Sequence, residues 1–315
     1  MSEKFTAAVM AAVRRRHPDA EQLTARAVPP YGSAGAVEAV EVTWVAGGTA
    51  RGAWFVAKPA RDGAERRVLA ALADTDVPVP ALVDADPDAP VLIMEHLPGR
   101  AADEALRSLA MRWEVSALAF TVARALASVH RLRWEQVVPW LADVEALPED
   151  IVDGQVEARW ADWEARIAAL PEPARPPFAA ALGWLDRRRP VEVSLCLCHG
   201  DFRLRNVLLI DDEVSGLVGW SAARITEAAA DVALLATDIA GLGLPDDVAE
   251  LFMQALLGAY LQSSPRSLAN LPFYTVALLL DRALDATEAR DPSAPAALAA
   301  LQRAMAGGGR VPWRL

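Results

Sequence analysis

The stretch Cys198-His199-Gly200-Asp201-Phe202-Arg203-Leu204-Arg205-Asn206-Val207-Leu208-Leu209 constrains this chain more than any other part of it. Two short apolar runs, Leu195–Cys198 and Val207–Ile210, bracket a polar turn. Runs of this length bounded by turn residues read as buried strands, so the turn between them is held rigid from both sides. It presents a carboxylate, Asp201, and an amide, Asn206, five residues apart. Such an interval suits a loop that must aim a carboxylate at a nucleophile and an amide oxygen at a metal ion. Taken alone, His-Gly-Asp would equally suit a plain strand–turn–strand with a buried histidine and an Asx turn. The rest of the chain decides between the two.

With 53% hydrophobic and 23% charged residues, the 315-residue chain can build a substantial core, as one large domain or two lobes. Strand-like stretches crowd into the first hundred residues. Residues 1–20 read as a helix, followed by the turn-rich Pro29-Pro30-Tyr31-Gly32-Ser33-Ala34-Gly35. Residues 37–45 alternate as a strand, Gly47-Gly48 makes a tight turn, and a second strand runs to Lys58, giving a β-hairpin. Asp62 is expected to cap a helix through about Ala73. Residues 77–80 are extended, and residues 91–94 form a buried strand that Leu97-Pro98-Gly99 ends. Beyond residue 103 the pattern is helical up to Arg189; residues 191–218 form a strand–loop–strand element, and helices fill most of the remainder.

Net charge is −11, which disfavours a nucleic-acid partner because phosphate backbones would be repelled. Between residues 141 and 170, Asp143, Glu145, Glu149, Asp150, Asp153, Glu157, Asp162 and Glu164 stand against Arg159 and Arg166, a net of −6. This is either a solvated helix face, the favoured reading, or an acidic rim for a cationic small molecule, with Trp160 and Trp163 lining a cleft. The N-terminal charged cluster follows the apolar stretch instead of preceding it, so no signal peptide is expected. No apolar run reaches the roughly 18–20 residues needed to span a bilayer. Cys196 and Cys198 are expected to be reduced core residues pointing to opposite faces of a strand, neither disulfide-bonded nor metal-binding, which fits a cytoplasmic protein. His17 is read as a surface residue and His130 as structural.

Further motifs stand in a telling order. Phe55-Val56-Ala57-Lys58 precedes a helix carrying Glu65; next come Val77-Pro78-Val79-Pro80 and Leu92-Ile93-Met94-Glu95-His96-Leu97-Pro98-Gly99; last comes His199-Gly200-Asp201 with Asn206. Over roughly residues 25–240 this resembles the aminoglycoside phosphotransferase family of small-molecule kinases. The resemblance implies an α+β, two-lobed protein-kinase-like fold, with a small β-rich N-lobe over residues 1–97 that covers the nucleotide. A larger helical C-lobe over residues 98–315 would carry the catalytic loop. It implies Asp201 as catalytic base with Arg203 beside it, Asn206 as metal ligand, and Lys58 with Glu65 on the nucleotide phosphates. The backbone of Glu95 and Leu97 would meet the base, and Gly32 and Ser33 would cover the phosphates of ATP or GTP. Asp231 matches the family acid that braces the catalytic loop from a later helix. A capping box with Asp62 is the plain alternative for Glu65, and an ordinary turn for Gly32 and Ser33.

One member of the pattern is missing. The family places a metal-binding Asp thirteen residues after the motif Asn, where this chain has Gly219, in Leu217-Val218-Gly219-Trp220-Ser221. Arg205 also replaces a common Gly. Together these changes shift local formal charge by about +2, so Mg²⁺, which prefers carboxylate and phosphate oxygens, is expected to bind weakly or not at all. The resemblance therefore implies a nucleotide-dependent kinase of a small-molecule hydroxyl with an impaired metal site. The alternative is an inactive pseudokinase that binds a nucleotide or metabolite and acts through a protein partner. No recognisable activation segment follows residue 220, which disfavours a protein-substrate kinase.

Overall fold

The computed structural model describes residues 2–28, 37–60, 63–84 and 90–311. Its contacts divide the chain into two units. One comprises Met1–Gly99 with Leu208–Ile210 and Ser215–Ser221; the other comprises Arg100–Val207, Asp211–Val214 and Ala222–Leu315.

The first unit is a four-stranded antiparallel sheet with a helix packed on it. Its elements are α1 (Ser2–Arg16), β1 (Glu21–Val28), β2 (Glu38–Ala46), β3 (Thr49–Pro59), α2 (Ala64–Leu72) and β4 (Val91–Glu95), and the strands lie in the order β1-β2-β3-β4. Strands β2 and β3 pair from Glu38↔Ala57 to Ala46↔Thr49, so the hairpin turns at Gly47-Gly48 as the sequence suggests. Phe5, Val9, Ala12 and Val13 recur at helical spacing along α1 and share a core with Val40, Val42, Trp44, Phe55 and Ile93 of the sheet. Strand β1 has no counterpart in the sequence reading. It is an edge strand in which Leu23, Ala25 and Ala27 alternate with Gln22, Thr24 and Arg26. Its inward face, Leu23, Ala25 and Ala27, is too weakly apolar to stand out as a strand, although a turn-rich stretch follows it. His17 is half-buried and stacks on Trp44 with ring centroids 5.1 Å apart, so it is not the plain surface residue expected. Asp62, the expected helix cap, lies outside the described residues; α2 begins behind Gly63.

The second unit is largely helical. In chain order it holds β5 (Arg100–Ala101), α3 (Ala102–Ser108), α4 (Arg112–His130), α5 (Trp134–Val137), α6 (Pro148–Ala169) and α7 (Arg175–Asp186), then β6 (Leu195–Cys198). After β6 come β7 (Val207–Ile210) and β8 (Glu213–Leu217), most of whose residues group with the first unit; the second unit then resumes with β9 (Arg224–Glu227), α8 (Ala228–Ala240), α9 (Asp246–Ser263), α10 (Leu271–Glu288) and α11 (Ala294–Ala306). The stretch expected to be helical throughout is thus several helices. Breaks fall at Leu109, near Arg131, and around Leu170-Pro171, where proline cannot continue a helix. Helix α8 is buried on nearly all sides, as its run of alanines and aliphatics allows. It lies against α10, while α4 lies against α9.

Strand β6 pairs antiparallel with the short β9, from Leu195↔Glu227 to Cys198↔Arg224. The expectation that Cys196 and Cys198 point to opposite faces is overturned: residues i and i+2 of a strand share a face, and the two sulfurs lie 3.8 Å apart. Both are free and fully buried.

Candidate active site

The turn after β6 is shaped by one close approach and one buried acid. Gly200 has φ 79°, and a Cβ there would lie 1.9 Å from the carbonyl oxygen of Ala222, so only glycine fits between histidine and aspartate. Asp231, in the first turn of α8, accepts the backbone N–H of His199 at 2.7 Å and of Gly200 at 2.9 Å. A carboxylate is favoured there by the helix N-terminus. Its Oδ2 also faces Nε2 of His130 at 3.3 Å, and Nδ1 of His130 lies 2.7 Å from the Tyr260 hydroxyl. His130 is fully buried at the end of α4, consistent with a structural role.

Charge follows from this packing. Burial by itself would lower the His130 pKa, but the hydrogen bond to Asp231 and neighbouring groups raise it to about 9. Burial likewise works against the Asp231 carboxylate, yet His130 and the loop amides hold it below the ordinary carboxylate value. The Cys198 thiol is pushed well up by burial, so Asp231 is the anion that supports the imidazolium. His130, Cys196 and Cys198 could be read as metal ligands because their ligand atoms lie within 4.8 Å of one another. Both ring nitrogens of His130 already have partners and burial keeps the Cys198 thiol protonated, so the trio reads as core.

Asp201 is clamped on both oxygens. Arg203 donates through Nε to Oδ1 at 2.6 Å, and Asn206 donates through Nδ2 to Oδ2 at 3.0 Å and to the Asp201 carbonyl at 2.7 Å. Arg203 is fixed in turn by Asp238, 3.4 Å away, whose other oxygen accepts the Leu204 N–H at 3.3 Å. Asp238 falls seven residues after Asp231, on the same face of α8, a spacing that the sequence reading overlooked. Arg205, half-exposed, places a second guanidinium nitrogen 3.9 Å from Asp201 Oδ2.

Asp201 and Arg203 open on a cavity of about 640 Å³ that lies wholly within the second unit. Helix α6 contributes Val152, Val156, Arg159 and Trp163 to its wall, a single helical face. Asp281 of α10 lines it too; it pairs with Arg159 and accepts the Trp163 indole N–H at 2.6 Å. None of the eight acids between residues 141 and 170 lines it, and neither does Trp160. Glu157 instead pairs with Arg189 and Asp162 faces Arg166 at 3.7 Å, and most of the other acids of this stretch are exposed, as on a solvated helix face.

In the first unit, Lys58 leaves β3 opposite Leu92 and its Nζ lies 2.6 Å from Glu65 in the first turn of α2. The side chains are only 17% and 11% exposed, so this pair is largely withdrawn from water. Glu65 therefore bonds Lys58. The Glu95 N–H is engaged by the Ala81 carbonyl at 2.9 Å, and its side chain pairs with Arg16 at 2.9 Å. The N–H of Leu97 makes no hydrogen bond among the described residues. Gly32 and Ser33 lie outside the described residues. Gly219 has φ 89°, in a region that side-chain-bearing residues rarely adopt.

These donors are a poor fit for a divalent cation. Hard cations of the Mg²⁺ type take several oxygens, carboxylates among them. The catalytic loop offers the neutral Oδ1 of Asn206, beside a carboxylate already flanked by two guanidiniums.

A lysine–glutamate pair on a small antiparallel sheet, together with a braced His-Gly-Asp loop in a helical unit, defines a protein-kinase-like α+β fold. Residues 39–271 match the Phosphotransferase enzyme family, APH, and the chain belongs to that family. Among solved structures, an aminoglycoside-3'-phosphotransferase of type VIII is 25% identical, with a TM-score of 0.52 over 88% of this chain and 98% of that one. A thermostable mutant aminoglycoside phosphotransferase in ternary complex with ADP and hygromycin B is 16% identical, with a TM-score of 0.63 over 97% of this chain and 100% of that one. Among curated proteins, the mouse (Mus musculus) acyl-CoA dehydrogenase family member 10 is 27% identical over 177 residues, 54% of this chain but only 16% of that protein. Among the described residues, no helix is long and apolar enough to cross a membrane.

Proposed function

We propose that this chain transfers the terminal phosphoryl group of ATP or GTP to the hydroxyl of a small molecule, slowly and with little dependence on Mg²⁺. The observation that carries the reading is Asp201, held by Asn206 and Arg203 and facing a cavity large enough for a small acceptor. In this step Asp201 takes the acceptor hydroxyl proton and the freed oxygen forms a bond to the γ-phosphorus. The bond from that phosphorus to the bridging oxygen breaks, leaving the electron pair on the nucleoside diphosphate. Arg203 fixes the Asp201 carboxylate and adds positive charge nearby. Lys58, oriented by Glu65, is suited to a nucleotide phosphate. The Leu97 N–H is a donor for the base edge; Glu95 would offer its carbonyl, since its N–H already has a partner. A structural relative crystallised with ADP and hygromycin B is compatible with a nucleotide and a second small molecule on this fold.

A second reading, a nucleotide- or metabolite-binding pseudokinase, is favoured by Gly219 and Arg205. The family resemblance puts a metal carboxylate at the first and a small residue at the second. One experiment separates the two: titration with AMP-PNP, with and without Mg²⁺, beside a transfer assay over a broad panel of alcohols. Acceptor-dependent transfer supports the kinase. Nucleotide binding with no transfer to any alcohol supports the pseudokinase.

A further inference from the structure

We infer that the acceptor is an apolar hydroxyl compound bearing an anionic group, a hydroxycarboxylate and not a polycation, with Arg224 as the residue that receives the anion. This rests on the reading that the cavity lined by Asp201 is the acceptor site.

The cavity wall is mainly apolar, through Val152, Val156, Trp163, Phe273, Tyr274 and Leu278. Its charged members balance almost completely. Asp201 pairs with Arg203, and Asp281 pairs with Arg159, whose guanidinium also lies over the Trp163 ring, 5.1 Å from its centroid. Both acids in the wall therefore already have a cation. The remaining charge is Arg224, an exposed residue whose side chain makes no hydrogen bond or ion pair among the described residues. It stands on β9 opposite Cys198, directly beside the entry to the His199–Asp201 turn.

A polycationic acceptor needs unpaired carboxylates, and the wall offers none. None of the acids of α6 lines the cavity, Glu157 and Asp162 pair elsewhere, and an ammonium group entering the cavity would meet an unpaired guanidinium. A carboxylate on an apolar body would satisfy Arg224 with a charge-assisted hydrogen bond, while the body covers the aromatic and aliphatic wall. At about 640 Å³ the cavity falls in the range of small-molecule sites.

The test is calorimetric titration of the full chain, with and without AMP-PNP, using three matched probes: ω-hydroxydecanoate, the corresponding diol and the corresponding amino alcohol. The hydroxycarboxylate is expected to bind about tenfold tighter than the diol, equivalent to about 1.4 kcal/mol, and the amino alcohol weakest. Arg224→Gln should bring the hydroxycarboxylate to the level of the diol, and Arg224→Lys should restore part of the preference. The inference is overturned if the amino alcohol binds tightest, if the carboxylate preference survives in Arg224→Gln, or if none of the three binds. Failure of the kinase reading looks different. Arg224-dependent binding of the hydroxycarboxylate without phosphate transfer would remove the catalytic proposal and keep the hydroxycarboxylate as the ligand of this cavity. Transfer confined to aminoglycosides such as hygromycin B would do the reverse.

Discussion

Replacing Asp231 by Asn removes one charge from the point where three groups converge. The carboxylate accepts two backbone N–H groups of the catalytic turn and pairs with a fully buried His130. Asparagine retains one acceptor oxygen but presents an amide N–H₂ to the other donor. Hydrogen bonds to charged groups contribute about 1.5–3 kcal/mol, and breaking a buried ion pair costs about 3–5 kcal/mol. A loss of roughly 3 kcal/mol is expected, a large share of the about 5–15 kcal/mol typical of a folded protein. The loss should depend on pH in a defined direction. The folded-state pKa of His130, about 9, lies above its ordinary value of 6.5. Its contribution is therefore complete below the ordinary value and is lost as pH rises through about 9. At roughly 1.4 kcal/mol per pH unit this amounts to about 3 kcal/mol over the window. The Asp231 carboxylate works the other way, its share disappearing only as pH falls through its depressed folded value. Urea unfolding followed by tryptophan fluorescence at the two ends of the upper window should show wild-type stability falling while Asp231→Asn stays flat. A deficit under about 1 kcal/mol, or an unchanged slope in the variant, would refute the reasoning.

Lys58→Ala should weaken ATP or GTP binding at least tenfold, about 1.4 kcal/mol, with the far-ultraviolet circular dichroism unchanged; equal affinity would remove Lys58 from the nucleotide site. Gly219→Asp should make AMP-PNP binding respond to Mg²⁺, more so with Arg205→Gly, while costing about 1 kcal/mol of stability from the positive φ. No metal response in the double variant would count against the impaired-metal account. Neutralising Asp153, Glu157 and Asp162 together should alter KM for cationic and neutral acceptors equally and cost under about 1 kcal/mol in urea, since such exposed pairs contribute little. A rise in KM for the cationic acceptor alone would restore the acidic-rim reading.

Much of this was legible because the informative residues are close in sequence and chemically extreme. His199-Gly200-Asp201 with Asn206, the strand ending in Lys58, and the Gly47-Gly48 hairpin announce themselves through turn chemistry and local spacing. What escaped has physical reasons. Strand β1 is an edge strand with a weak inward face, and β9, Arg224-Ile225-Thr226-Glu227, has a single aliphatic residue and so no apolar run of the kind that marks β6 and β7. The error over Cys196 and Cys198 was one of geometry, not of missing signal, since a period of two puts them on the same face. The Asp281 pairing with Arg159 and Trp163 joins residues more than a hundred positions apart, and nothing local to any of them marks it. The acids between residues 141 and 170 were visible as a run, yet only the helical phase of α6 shows that Val152, Val156, Arg159 and Trp163 take the cavity side.

The most direct measurement of the proposed chemistry is transfer of labelled phosphate from γ-labelled ATP and GTP to hydroxycarboxylate and other alcohol acceptors, comparing the wild-type chain with Asp201→Asn. A positioned general base contributes about 10²–10⁴ in rate. Transfer that requires acceptor and falls at least about a hundredfold in Asp201→Asn, with AMP-PNP still bound by both proteins, is the expected result. Transfer at equal rates in the two proteins, or none in the wild type with any acceptor and either nucleotide, would contradict it.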